Sequence, residues 1–270
     1  MRNKLKDLPV RIYWFSGCGN TLLIAMEMEK YLRDKGREAG LIPLEKARPE
    51  SIDQKAIIGF AVPVAGQGTY PFIWDFIENL PRSSGTPVFL VDTLGYYSGG
   101  ILGPIKKILK RNGYLPLAAK EIIMPNVFQK AKFAPKKDEK KIVRGKEKAK
   151  RFCDKLLAGG GHWRDIPGYS RLMSSFFRTA KALGPYRKLF PMFIDPETCR
   201  KCGLCVELCP AGHLTMSDKN SVPVQGDSCV LCNRCFAFCP AEAIRFGKKQ
   251  KIRYHAVPLG ELRRRLGGVL

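Results

Sequence analysis

The sequence contains no apolar run of about 18 residues or more, which argues against a bilayer-spanning helix. Histidine is scarce, with three in 270 residues. His162, His213 and His255 are scattered, and none stands in a Ser-His-Asp arrangement or beside paired carboxylates. Triad hydrolysis and two-carboxylate acid–base chemistry therefore have no evident carrier. Acidic residues are few: 24 Asp and Glu stand against 47 Lys and Arg, a net charge of +23. No recognisable nucleic-acid module accompanies that charge, which places nucleic acid last among its partners. The stretch MRNKLKDLPVRIYWF is basic but has only a short apolar run. It reads as a first strand rather than a signal peptide, and a cytoplasmic protein is expected.

The excess charge is local. Residues 130–151 hold eleven basic residues against three acidic ones, and the stretch after 247 holds seven against one. A solvated helix face and a solvated tail account for such runs. The sharper readings are docking of an acidic protein redox partner or peripheral contact with an anionic membrane surface.

Cysteine is abundant instead. There are ten, and eight lie between 199 and 239. In a reducing cytoplasm such density points to metal rather than disulfides. Cys153, beside Phe152, Leu156 and Leu157 on an expected helix, reads as core.

Residues 10–15, 56–61 and 87–92 are short, β-branched-rich apolar runs, each followed by a glycine-bearing loop and a helix-like stretch. That alternation predicts a parallel sheet with crossover helices. Weaker strands are expected over 41–44 and 118–124, and a last helix over 137–157. Five strands make an α/β, doubly wound domain at 1–158. Residues 159–194 read as a linker and connecting helix, 195–247 as a cysteine-rich domain, and 248–270 as a basic tail.

The cysteine-rich part is a repeat of period 30. CRKCGLCVELCPAGHLTM (199–216) aligns with CVLCNRCFAFCPAEAIRF (229–246). Each half reads C-x₂-C-x₂-C-x₃-C-P, the bacterial run for two [4Fe–4S] clusters, in which the fourth Cys serves the other cluster. Cys199, Cys202, Cys205 and Cys239 are thus assigned to one cluster, and Cys229, Cys232, Cys235 and Cys209 to the other. Structural zinc sites use two pairs of ligands rather than runs of four. The stretch resembles the two-cluster ferredoxins of bacteria and archaea.

The first loop, FSGCGNT (15–21), sits between a strand and a helix N-terminus, a setting that favours anions. It lacks the Lys of a nucleoside-triphosphate loop, and Leu22 stands where a dinucleotide fingerprint needs its third Gly. What remains is a phosphate held by hydroxyls and backbone N–H groups. The loop, Ser16-Gly17-Cys18-Gly19-Asn20-Thr21, resembles the phosphate loop of flavodoxins, with Cys18 in place of a hydroxyl residue. A thiol at a helix N-terminus can have a lowered pKa, which leaves redox work by Cys18 as a minor reading beside a tolerated swap.

Flavodoxin-like folds bind FMN outside the carboxyl ends of the central strands. The loops after the third and fourth strands are accordingly expected to contribute Pro63, Val64, Ala65 and Gly66, and Thr93, Leu94, Gly95, Tyr96, Tyr97 and Gly99. Tyr96 and Tyr97 are the stacking candidates, and MPNVF (124–128) adds to the likeness.

The whole chain resembles the prokaryotic fusion family that joins a flavodoxin-like domain to a two-cluster ferredoxin. The resemblance implies an FMN and iron–sulfur electron carrier with a protein redox partner. Two alternatives stay open: a ferredoxin with a flavin-free docking domain, and an oxidoreductase with its own small-molecule acceptor.

Overall fold

The computed structural model describes residues 5, 7–66, 68–96, 100–126, 134–164, 183–247 and 253–267. The N-terminal half alternates β1 (Val10–Trp14), α1 (Asn20–Asp34), β2 (Ala39–Pro43), β3 (Ile57–Pro63), α2 (Pro71–Glu78), β4 (Pro87–Leu94), α3 (Leu102–Arg111), β5 (Leu115–Ile123) and α4 (Pro135–Leu157). All five strands pair in parallel, in the order β2-β1-β3-β4-β5. That is the flavodoxin-like order, whose switch point lies between β1 and β3.

Alternation along β1 shows why the sheet needs cover on both faces. Val10, Ile12 and Trp14 enter one core with Ile24 and Met28 of α1 and Phe152 of α4. Tyr13 and Phe15 enter the other with Ile73 and Trp74 of α2 and Ile105 of α3. Cys153 is fully buried in the first of these cores. Among the described residues no helix is long and apolar enough to cross a membrane.

The second half holds α5 (Gly184–Leu189), β6 (Met192–Ile194), α6 (Leu204–Glu207), β7 (Leu214–Thr215), β8 (Val224–Gln225), α7 (Arg234–Phe238), β9 (Ile244–Phe246) and α8 (Leu259–Arg265). β6 pairs antiparallel with β9, and β7 with β8. Two observations bear on the expected boundaries. The β6–β9 ladder draws 192–194 into the cysteine-rich domain, ahead of the start expected at 195. The tail is not free where described, because 253–267 packs on both halves. The connecting helix expected within 159–194 falls largely on residues outside the described ones, and the described part from 183 holds α5 and leads into β6.

Backbone conformation repeats with the sequence. Lys201 and Leu231, Gly203 and Asn233, and Gly212 and Glu242 all have positive φ. The members of each pair stand one repeat apart, so the two cysteine loops trace the same path. Left-handed non-glycine residues cost energy and persist where the surrounding structure imposes them.

Candidate functional site

Each cysteine loop wraps a small cavity. One is lined by Cys199, Cys202, Cys205 and Cys239, and the other by Cys209, Cys229 and Cys232. Cys235 borders both. The fourth Cys of each run therefore lies in the cavity of the opposite run. Backbone N–H groups turn toward the sulfurs: Lys201 N donates to Cys199 Sγ and Leu231 N to Cys229 Sγ, each at 3.4 Å, and His213 N to Cys209 Sγ at 3.3 Å. Such bonds favour sulfur that carries negative charge.

Burial works the other way on the free thiols. It pushes Cys205 up to about 11 and Cys232 up to about 12, and raises Cys229 and Cys235. Thiolates gathered in such a setting need a compensating cation, and a metal-coordinating thiol is deprotonated outright. The donor set, all sulfur with N–H support, fits a cluster.

A larger cavity of about 390 Å³ lies at the carboxyl ends of β1, β3 and β4. That is an ordinary size for a cofactor site. One wall is the first loop: Ser16, Gly17, Cys18, Asn20 and Thr21. Gly19 caps α1 with φ 89°, a conformation that favours glycine. Thr21 Oγ1 and Thr93 Oγ1 share a 2.8 Å hydrogen bond, and Asn20 Nδ2 donates to the Pro125 carbonyl at 2.9 Å. A second wall is Pro63, Val64, Ala65 and Gly66, shaped by Val64 N donating to Thr93 O and by Thr69 Oγ1 donating to Pro63 O. Thr93, Leu94, Gly95 and Tyr96 complete that side. Tyr96 is 79% exposed, with the Lys141 ammonium 5.7 Å from its ring centroid. Tyr97 and Gly99 lie outside the described residues.

The third wall was not foreseen. Val230, Leu231, Cys232 and Asn233, the loop of the second cysteine run, close the cavity, and Leu183, Tyr186 and Phe190 flank it. Asn233 is buried, borders both this cavity and the Cys209/Cys229/Cys232 cavity, and its Oδ1 has no partner among the described residues. An unpaired buried acceptor at a cavity wall is a place for a ligand donor. No local pattern in the sequence marks this wall, because 230–233 and the first loop stand more than 200 residues apart.

The two halves meet at this junction. Arg234 is 1% exposed. Its Nε and Nη2 donate to the Ser16 carbonyl at 3.0 and 2.8 Å, and its Nη1 donates to Leu208 O at 3.3 Å and to Glu45 Oε1. The guanidinium stacks over the Phe15 ring at 4.6 Å. Outside the cavity, segment 253–257 straps the same loop: Tyr254 Oη donates to Asn20 Oδ1 at 2.8 Å, and Ala256 N donates to Cys18 O at 2.8 Å. Arg253 grips the Phe236, Glu242 and Ile244 carbonyls.

Cys18 is buried in an apolar cluster that includes Leu204, Leu208, Phe238 and Val257. Burial pushes its thiol well up, with Cys232 adding to the effect. This is opposite to the lowering that a helix N-terminus alone would give.

A family model described as a 4Fe-4S dicluster domain matches residues 192–246. Among solved structures, the chain is similar to a flavodoxin from the domain Archaea, at 12% identity and TM-score 0.42, over 55% of this chain and 99% of that one. It is similar to a Streptococcus pneumonia flavodoxin at 16% identity and TM-score 0.40, over 54% and 98% of the two chains. It is likewise similar to the Megasphaera elsdenii flavodoxin at 23% identity and TM-score 0.36, over 53% and 98%. A search of curated proteins found no match. The strand order and the 192–246 match together define the architecture: the chain joins a flavodoxin-like doubly wound sheet to a 4Fe–4S dicluster domain.

Proposed function

We propose that the chain is an electron-transfer protein that holds FMN in the large cavity and one [4Fe–4S] cluster in each cysteine cavity. One observation carries the reading: the 230–233 loop is at once a wall of the large cavity and part of a cysteine cavity. When bound, the flavin would exchange one or two electrons and the clusters one each. The chain's own residues would set the order. The Cys209/Cys229/Cys232/Cys235 site faces the flavin cavity, and the Cys199/Cys202/Cys205/Cys239 site lies beyond it. Cys202 is exposed, as are Arg200 and Lys201. That edge suits a one-electron protein partner with an acidic surface.

The test is an anaerobic assay of iron, sulfide and acid-released flavin. About eight irons and eight sulfides are expected, as two cubanes require, with one FMN. Four irons, stoichiometric zinc or riboflavin in place of FMN would sink it.

A second reading, an iron–sulfur protein with a flavin-free docking domain, draws on a specific observation. The side chains of Asn20 and Thr21 already have protein partners. A phosphate would then rely on Ser16 and backbone N–H groups. Absence of flavin beside a full iron content would favour this reading.

A further inference from the structure

We infer that Arg234 is the positioning residue of the flavin–cluster junction: its fork fixes the first loop against the second cysteine loop, and its charge draws electrons to the cluster next to the flavin. The inference deepens the proposed function and rests on it.

Three features support it. The first is position. Arg234 stands between Cys232 and Cys235, and it holds Leu208, the neighbour of Cys209. It thus touches both segments that supply ligands to the flavin-facing cavity. The second is geometry. Two parallel N–H groups on one carbonyl, Ser16 O, fix orientation in a way that a lysine ammonium cannot. Phe15 stacks on the guanidinium from the flavodoxin-like half. The third is polarity. The positive end of the Arg234–Glu45 pair faces the junction. Nε and Nη2 of the guanidinium point at Ser16 O, on the wall of the large cavity that also carries Cys232. Glu45, on the turn after β2 (Leu44–Lys46), accepts from Nη1 rather than from the two N–H groups held by Ser16 O.

The electrostatics follow. One-electron reduction adds one negative charge to a cluster, and no bond is made or broken. A fixed cation beside that charge, in a region of low dielectric, favours the reduced form. Burying the guanidinium costs solvation energy, and Glu45 with three carbonyl contacts offsets that cost.

The experiment uses the full-length chain, reconstituted anaerobically, with Arg234→Gln, Arg234→Lys and Glu45→Gln. Iron, sulfide and flavin are counted first. Wild-type protein without two clusters ends both the functional reading and this inference. With cofactors intact, each cluster is titrated by potential and followed by EPR. In Arg234→Gln the reduced-to-oxidised ratio of one cluster at fixed potential should fall about tenfold, about 59 mV for one electron, with the other unmoved. Glu45→Gln leaves the cation uncompensated, so the same cluster should shift the other way. That opposite sign keeps the test alive if Arg234→Gln folds poorly. Arg234→Lys should keep the potential close to wild type yet weaken FMN binding, because the fork on Ser16 O is lost. Unchanged potentials in both charge variants, or equal shifts of both clusters, would overturn the inference.

Discussion

A Cβ atom added to Gly17 would stand 2.1 Å from the carbonyl oxygen of Cys232. The first loop and the second cysteine loop therefore touch backbone to backbone, and only glycine fits. Gly17→Ala must push the halves apart, with an expected loss of about 1–3 kcal/mol, as for other overpacked contacts. Urea unfolding measures it. Gly184→Ala is the control, because nothing lies within 4 Å of its added Cβ. Equal losses in the two variants would show that the contact is not rigid.

The crossed cysteine cavities predict which variants share a phenotype. Cys209→Ala and Cys229→Ala should leave the same surviving cluster, and Cys239→Ala and Cys199→Ala the other. EPR of each reduced variant reads the survivor. If Cys209→Ala instead matches Cys199→Ala, each run serves its own cluster.

The first loop makes separate predictions for phosphate and for packing. If it cradles phosphate, calorimetry should show FMN binding more tightly than riboflavin. Thr21→Val should weaken FMN by about 1.5–3 kcal/mol if its hydroxyl also bonds the phosphate, whereas Thr93→Val, which breaks only the bond between the two hydroxyls, should cost about 0.5–1.5. Equal effects would remove Thr21 from direct contact. Read as a missing hydroxyl, Cys18 would bind FMN better after Cys18→Thr. Its apolar surroundings predict otherwise: burying a hydroxyl there should cost about 1–3 kcal/mol of stability without tightening FMN.

The basic segments divide by what their charges already hold. Arg265 Nη1 lies 2.7 Å from Glu29 Oε2, and Arg263 pairs with Glu207 at 3.0 Å. Charge reversal at Arg265 should lower stability, because Glu29, 5% exposed, would meet a like charge and keep Arg33 as its one cationic partner among the described residues. Reversal at Lys136, Lys137 and Lys140 on the exposed side of α4 should leave stability unchanged. If docking uses the Cys202 edge, Arg200→Glu should flatten the salt dependence of association with an acidic redox protein, and the α4 reversals should not. The opposite ranking would move the docking face to α4.

The features legible in the sequence were those written locally. The β-branched runs marked the strands, although β2 begins at Ala39 and β5 at Leu115, earlier than their apolar centres suggested. The cysteine repeat carried its own geometry, down to left-handed residues one repeat apart. Gly17 was visible as a loop glycine, but not its reason, since Cys232 has no periodic relation to it. Arg234 passed unremarked among 47 basic residues, because one charge in a basic chain shows neither its burial nor a partner 218 residues away. The tail read as solvated because ion pairs such as Arg265–Glu29 exist only after the halves have met.

The strap and the third cavity wall also impose an order on biosynthesis. Domains fold as they emerge, N-terminal part first. The five-stranded sheet is complete when residue 123 has left the ribosome, while the 230–233 wall and the Tyr254–Val257 strap are still to be made. The nascent sheet therefore presents its first loop without the third wall for more than a hundred residues of synthesis. A ligand loaded in that interval would gain its third wall only from the later segments, while the side beside the exposed Tyr96 stays open to solvent in the finished chain.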